Sequence, residues 1–138
     1  MRARLTASVG VALAVSLSVT SFHASDNLGK IFIKAAVSEV NGQQIPDQAL
    51  EDSANTMRKR AGDFTLAKEE TEADFLLMVV ERKNHGSSGE IRATLSVKDA
   101  TQWKPVTMLT GQSGLNWNRA AGDVMKKAEE WAKAHSKK

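Results

Sequence analysis

The chain has 138 residues, 19 of them basic and 16 acidic, and no cysteine. The missing cysteine excludes disulfides, thiolate zinc sites, a thiol nucleophile and a lipid-modified N-terminal cysteine. Two of the cations behind the formal charge of +3 sit at the extreme N-terminus. The remaining charges are mixed along the chain and do not form the basic stripe of a nucleic-acid binder.

Residues 1–24, MRARLTASVGVALAVSLSVTSFHA, have the three parts of a secretory signal peptide. Arg2 and Arg4 make a basic start, Leu5 to Val19 is uncharged and largely apolar, and small and polar residues follow. The apolar part is shorter than the roughly 20 residues of a membrane-spanning helix. Cleavage is expected within 21–24, and Val19 and Ser21 suit a cut after Ser21. Losing Arg2 and Arg4 leaves 17 basic against 16 acidic side chains. The expected product is one domain over 25–138, periplasmic or secreted, with no stable membrane anchor. A small exported domain without disulfides fits a bacterial source better than a eukaryotic one.

In KIFIKAAV (30–37), Ile31, Ile33, Ala35 and Val37 alternate with Phe32, Lys34 and Ala36, the pattern of a strand. Residues 38–47, with Asn41-Gly42 and Pro46, read as a loop. Asp47 is an N-cap for a helix over 48–61, with Leu50, Ala54, Met57 and Ala61 as its apolar stripe and Gly62 as its stop. DFTLA (63–67) is a short strand and KEETE (68–72) a polar connection. FLLMVV (75–80) follows as a central strand, and NHGSSG (84–89) as a hairpin loop. In EIRATLSVK (90–98), Ile91, Ala93, Leu95 and Val97 point one way and Arg92, Thr94, Ser96 and Lys98 the other. DATQWK (99–104) turns the chain into a strand over 105–112. Asn116 caps a last helix over 117–135, with Trp117, Ala121, Val124, Ala128 and Trp131 on one stripe.

The order is β-α-β-β-β-β-α. The expected fold is α+β, a two-layer sandwich with a mixed four- to five-stranded sheet and two helices. A right-handed crossover is expected from residue 37 through the first helix if the strands it joins are parallel.

No residue pattern supports catalysis or a cofactor. His23, His85 and His135 have no metal-ligand spacing between them. The tip with His85, Ser87, Ser88 and Glu90 is a poor frame for a nucleophile, because a glycine-containing loop does not hold a base and an orienting group rigidly. Glu69, Glu70, Glu72 and Asp74 lack the glycine turn of a calcium loop. The central strand is different, because it is apolar on both faces. Phe75, Leu77 and Val79 occupy one, and Leu76, Met78 and Val80 the other. If both helices cover the first face, the second is left open, with Phe32 or Leu109 extending it. Such a patch marks an interaction surface. The alternative is internal cover, by one helix on each face or by the loop 38–47. Trp103, in a turn, is a further contact candidate.

The succession of GKIFIKAAV, a helix and FTLAKEETEADFLLMVVERK, followed by antiparallel strands and a last helix, resembles the small α/β domains of bacterial envelope proteins of the CsgG, TolB N-terminal and LpoB type. The resemblance covers most of residues 29–135. Asp52-Ser53 with Arg60, and Ala73-Asp74 before Phe75, also resemble phrases in uncharacterised exported bacterial proteins. The chain departs from CsgG and LpoB in lacking a lipobox cysteine. The resemblance implies a fold and carries no catalytic residue.

The expected function is that of an exported, non-enzymatic envelope protein that binds another envelope protein or itself, with no cofactor and no nucleic acid. Its contacts would come from Phe32, Leu76, Met78, Val80, Trp103 and Leu109. One alternative is a small-ligand or cell-wall glycan module using loop 38–47 and Trp103. Another is a hydrolase working from His85.

Overall fold

The computed structural model describes residues 27–114 and 116–136. The expected signal segment 1–24 and its cleavage site lie outside them. The elements are β1 (Lys30–Ala35), β2 (Val37–Val40), β3 (Gln43–Pro46), α1 (Gln48–Arg58), β4 (Thr65–Leu66), β5 (Phe75–His85), β6 (Ser88–Asp99), β7 (Gln102–Ser113) and α2 (Trp117–Ser136). A 3-10 turn at Glu70–Glu72 precedes β5.

Five strands form one mixed sheet in the order β4-β1-β5-β6-β7. β1 pairs parallel with β4 and β5, while β5, β6 and β7 are joined as antiparallel neighbours. The expected sandwich of a mixed sheet and two helices is the observed one.

The segment 38–47 is not an irregular loop. β2 and β3 form a separate two-stranded hairpin, pairing Val37 with Pro46 and Val40 with Gln43. Its two-residue turn is Asn41-Gly42, with φ of 53° and 81°. Two positive φ values define the turn whose twist suits a tight hairpin, and Asn-Gly is its preferred sequence.

Asp47 caps α1 as expected, its Oδ1 accepting from the Ala49 and Leu50 amides at 2.9 and 3.3 Å. The helix ends at Arg58, earlier than the stripe to Ala61 predicts, with Lys59 as C-cap. Asn116 caps α2 by accepting from the Arg119 amide at 3.1 Å.

Both helices lie on the same face of the sheet. Ile31, Ile33, Leu77, Val79, Ile91, Ala93 and Leu95 are buried there against Ala54 and Met57 of α1 and Ala120, Ala121, Val124 and Ala128 of α2. The small residues of α2 bring the layers close. A Cβ on Gly111 of β7 would lie 2.2 Å from the Ala120 carbonyl oxygen and 2.7 Å from Val124 Cγ2. Trp117 and Trp131 flank this stripe and are half-buried.

Helix side chains also cap exposed sheet edges. β4 stops at Leu66, and the next open acceptor of β1, the Ile33 carbonyl, takes two bonds from the Arg58 guanidinium at 2.7 and 3.1 Å. On β7 the Thr110 carbonyl accepts from Lys127, and the Gln112 amide donates to Asp123.

Two substitutions test this account. Gly111→Ala should destabilise by about 3 kcal/mol, since the helix backbone cannot yield as a side-chain tip can. Ala100, at the β6–β7 turn, has φ of 60°. Ala100→Gly should therefore raise stability by about 1 kcal/mol. Urea denaturation of both variants measures these changes.

Candidate interaction face

The sheet face opposite the helices can be followed row by row from the strand register. Lys98 pairs with Trp103 at one end. The next row is Phe32, Leu76, Ser96 and Pro105, then Lys34, Met78, Thr94 and Met108. Glu81, Arg92 and Thr110 follow, then Lys83, Glu90 and Gln112, and last His85 with Ser88. The face is apolar towards its middle and charged at the β5–β6 tip.

The predicted contact residues divide on this map. Phe32 and Met78 lie on the open face and are half-buried. Met108 lies in the row of Met78, across Thr94, at 53% exposure, with Thr94 Oγ1 donating to its sulfur. The sequence reading placed Met108 on a strand but not in this patch. Leu76 is on the open face but only 6% exposed. The connection before β5 is held against that end of the face: Glu70 bonds Lys34 at 3.0 Å, and the Thr71 carbonyl accepts from Lys98 at 2.7 Å. Leu76 is therefore not an accessible contact.

Leu109 is a correction. It pairs with Ala93 on the helix side and is buried in the core. An irregularity in β7 opposite Leu95 and Ser96 sets this phase, with Thr107 paired to Leu95 and Pro105 to Ser96. Val106 is left unpaired and packs towards the core, while Met108 turns to the open face. A second irregularity lies between Val79 and Glu81 on β5, leaving Val80 as the extra, half-buried residue. Strict alternation would keep Arg82 with Met78. Instead Arg82 reaches the helix side, donating to the Ala49 carbonyl at 3.1 Å with its guanidinium 4.0 Å from the Trp117 ring centroid.

Trp103 is half-buried, with the Lys98 ammonium 5.1 Å from its ring centroid. It lies at the β1-entry end of the sheet, whereas the β2–β3 hairpin leaves from the other end, after Ala35. The two do not form one ligand site. A cleft of about 400 Å³ opens at the same end of the sheet as Trp103, between the sheet and the end of α2, lined by Phe75, Val97, Lys98, Trp131 and His135 among others. Trp131 and His135, one turn apart on α2, stack with ring centroids 3.9 Å apart on its helix side.

The charged end of the face centres on Glu90, which is nearly buried. Its carboxylate accepts from Arg92 Nε at 2.6 Å and Gln112 Nε2 at 3.2 Å, and meets His85 Nε2 at 2.8 Å. Arg92 also approaches Glu81 at 3.4 Å. The Arg92 bond holds the Glu90 carboxyl below its ordinary value of 4.5; burial opposes this, and the Gln112 and His85 bonds assist it. The hairpin-tip residues thus form a strut between strands. The Ser88 hydroxyl is directed at the His85 carbonyl, not at its ring, so no serine–histidine pair is assembled. Among the described residues, no group of three or more His, Asp or Glu is placed to hold a metal, and no helix is long and apolar enough to cross a membrane.

No family model and no curated protein matches the chain. Solved structures similar to it include the following two. One is a PelC dodecamer from Paraburkholderia phytofirmans, with 15% identity, a TM-score of 0.42, and cover of 79% of this chain and 90% of that one. The other is the hypothetical protein CT253 from Chlamydia trachomatis, with 10% identity, a TM-score of 0.39, and cover of 76% and 94%. Neither bears on the resemblance to the CsgG, TolB and LpoB type.

The Glu90 strut has a definite pH dependence. A carboxyl whose folded value is depressed contributes stability that is complete above its unfolded value, here the ordinary 4.5. That contribution is lost as pH falls through the lower folded value. Urea midpoints should drop on acidification below pH 4.5, and Glu90→Gln should show a shallower acid limb together with lower stability at neutral pH. Equal acid limbs in the two proteins would show that the strut does not titrate as described.

Proposed function

We propose that this chain is an exported, non-enzymatic protein-interaction module, and that its partner, another envelope protein or a second copy of itself, binds the sheet face without helices. The observation that carries this reading is the row Met78–Thr94–Met108. It sits at the middle of a five-stranded sheet, with no helix over it and one large apolar side chain more than half exposed. A left-out apolar side chain forgoes roughly 1.5–3 kcal/mol of burial. Monomeric proteins seldom leave such side chains contiguous without use. Phe32 lies in the adjoining row, while Lys34, Arg92 and Lys98 supply a polar rim, the usual arrangement around an interface centre.

Export rests on the sequence of residues 1–24, and the non-enzymatic reading on the chemistry of the polar groups. His85 and Glu90 are spent on a structural bond, and the Ser88 hydroxyl faces the His85 carbonyl.

Met78→Asp should leave a folded domain with native circular dichroism while abolishing association. The loss would be read as a fall in light-scattering mass or as failure to retain envelope proteins on immobilised protein. Unchanged association in this variant, or recovery of the uncut chain from the cytoplasm, would overturn the respective half of the proposal.

A further inference from the structure

The β2–β3 hairpin is the most exposed apolar structure on the described chain. Every residue from Val37 to Gln48 is exposed, and Val37, Val40 and Ile45 retain 45%, 49% and 44% of their surface. The two strands pair only with each other, so both outer backbone edges are open. Elsewhere this protein covers its edges: Arg58 takes the free Ile33 carbonyl, and Lys127 and Asp123 take groups on β7. A hairpin of four-residue strands is marginal in water on its own. Uncovered edges with apolar side chains invite pairing with another chain. This finger has the properties of an element completed by a partner.

The partner is identified by what the same chain leaves unused. The open face carries an apolar patch at its middle, with Met108 exposed and Met78 and Phe32 half-buried, of the right kind for a narrow apolar finger, and the finger cannot be covering its own face while all its residues are exposed. The charges are complementary as well. The only charged residue in 37–46 is Glu39. On the open face, the Lys98 ammonium has a carbonyl and an indole ring as partners and no carboxylate among the described residues. We infer that the β2–β3 hairpin of one copy docks on the open face of a second copy, its apolar side chains against Met78 and Met108 and its acidic charge towards Lys98. Finger and face are different surfaces, so each copy can give one and receive one, either reciprocally within a two-fold pair or in succession around a ring or along a filament. The inference rests on the proposed use of the open face and adds the occupant.

The test uses the full chain expressed in cells and purified in the form they accumulate. A finger variant carries Val37→Lys, Val40→Lys and Ile45→Lys; a face variant carries Met78→Asp and Met108→Lys. Circular dichroism establishes that each is folded. The wild type should associate, and each variant alone should be monomeric by light scattering. An equimolar mixture should form a heterodimer of twice the monomer mass, because one intact finger meets one intact face. If the finger variant still associates while the face variant does not, the face is an interface and the finger is not its occupant. If both variants are monomeric and the mixture stays so, finger-on-face docking is overturned. A wild type that is monomeric at every concentration overturns self-association outright. Should the hairpin melt in the finger variant, Glu39→Lys combined with Lys98→Glu gives an independent reading. Each charge change alone should weaken association, and the pair together should restore it; no restoration overturns the docking.

Discussion

Where Gly111 has no side chain to hold it off, the backbone of α2 comes down onto β7, and this contact sets the spacing of the two layers. The stripe of Ala120, Ala121, Val124 and Ala128 then fills the space over β7 and β6, while Ala54 and Met57 of α1 cover β1 and β5. Both helices spend their apolar sides on one face of the sheet. Only the 3-10 turn at Glu70–Glu72 is held against one end of the other. The central strand β5 is apolar on both sides, so this asymmetry turns a packing pattern into a surface.

The treatment of backbone edges follows from the same arrangement. A helix lying near the rim of a sheet can reach over it, and Arg58, Lys127 and Asp123 do so. The hairpin β2–β3 follows the end of β1, outside the main sheet, and is exposed along its whole length. A short edge strand, capped carbonyls and an uncapped finger in one molecule are different answers to one requirement, that strand edges must be paired, blocked or used.

At the far end of the open face the problem is polar. Glu90, Arg92, Glu81 and His85 come together across β5 and β6, with Gln112 completing the set from β7. A carboxylate this enclosed is tolerable because both of its oxygens find donors, Arg92 on one and Gln112 and His85 on the other. The extra residue at Val80 shares in this result. By shifting the phase of β5 it brings Glu81 opposite Arg92 and sends Arg82 to the helix side, against Trp117.

Local chemistry was enough to determine the elements that depend on nearest neighbours. Asp47 and Asn116 as caps, the apolar stripes of both helices, and the alternation of Ile91, Ala93 and Leu95 follow from side-chain preference and period. The doubly apolar character of residues 75–80 was legible for the same reason, and with it Phe32 and Met78 as surface candidates. The hairpin signal was also present in Asn41-Gly42, but Pro46 and the polar residues around it favour a loop when each is weighed alone. Tertiary structure decided the rest. Alternation has a period of two, so one unpaired residue in a partnered strand inverts every assignment beyond it. That is why Leu109 is in the core and Met108 outside it, and why Arg82 left the face where strict alternation puts it. Which side of the sheet a helix chooses, and which carbonyl a lysine reaches, depend on residues far apart in the chain, and no local pattern encodes them.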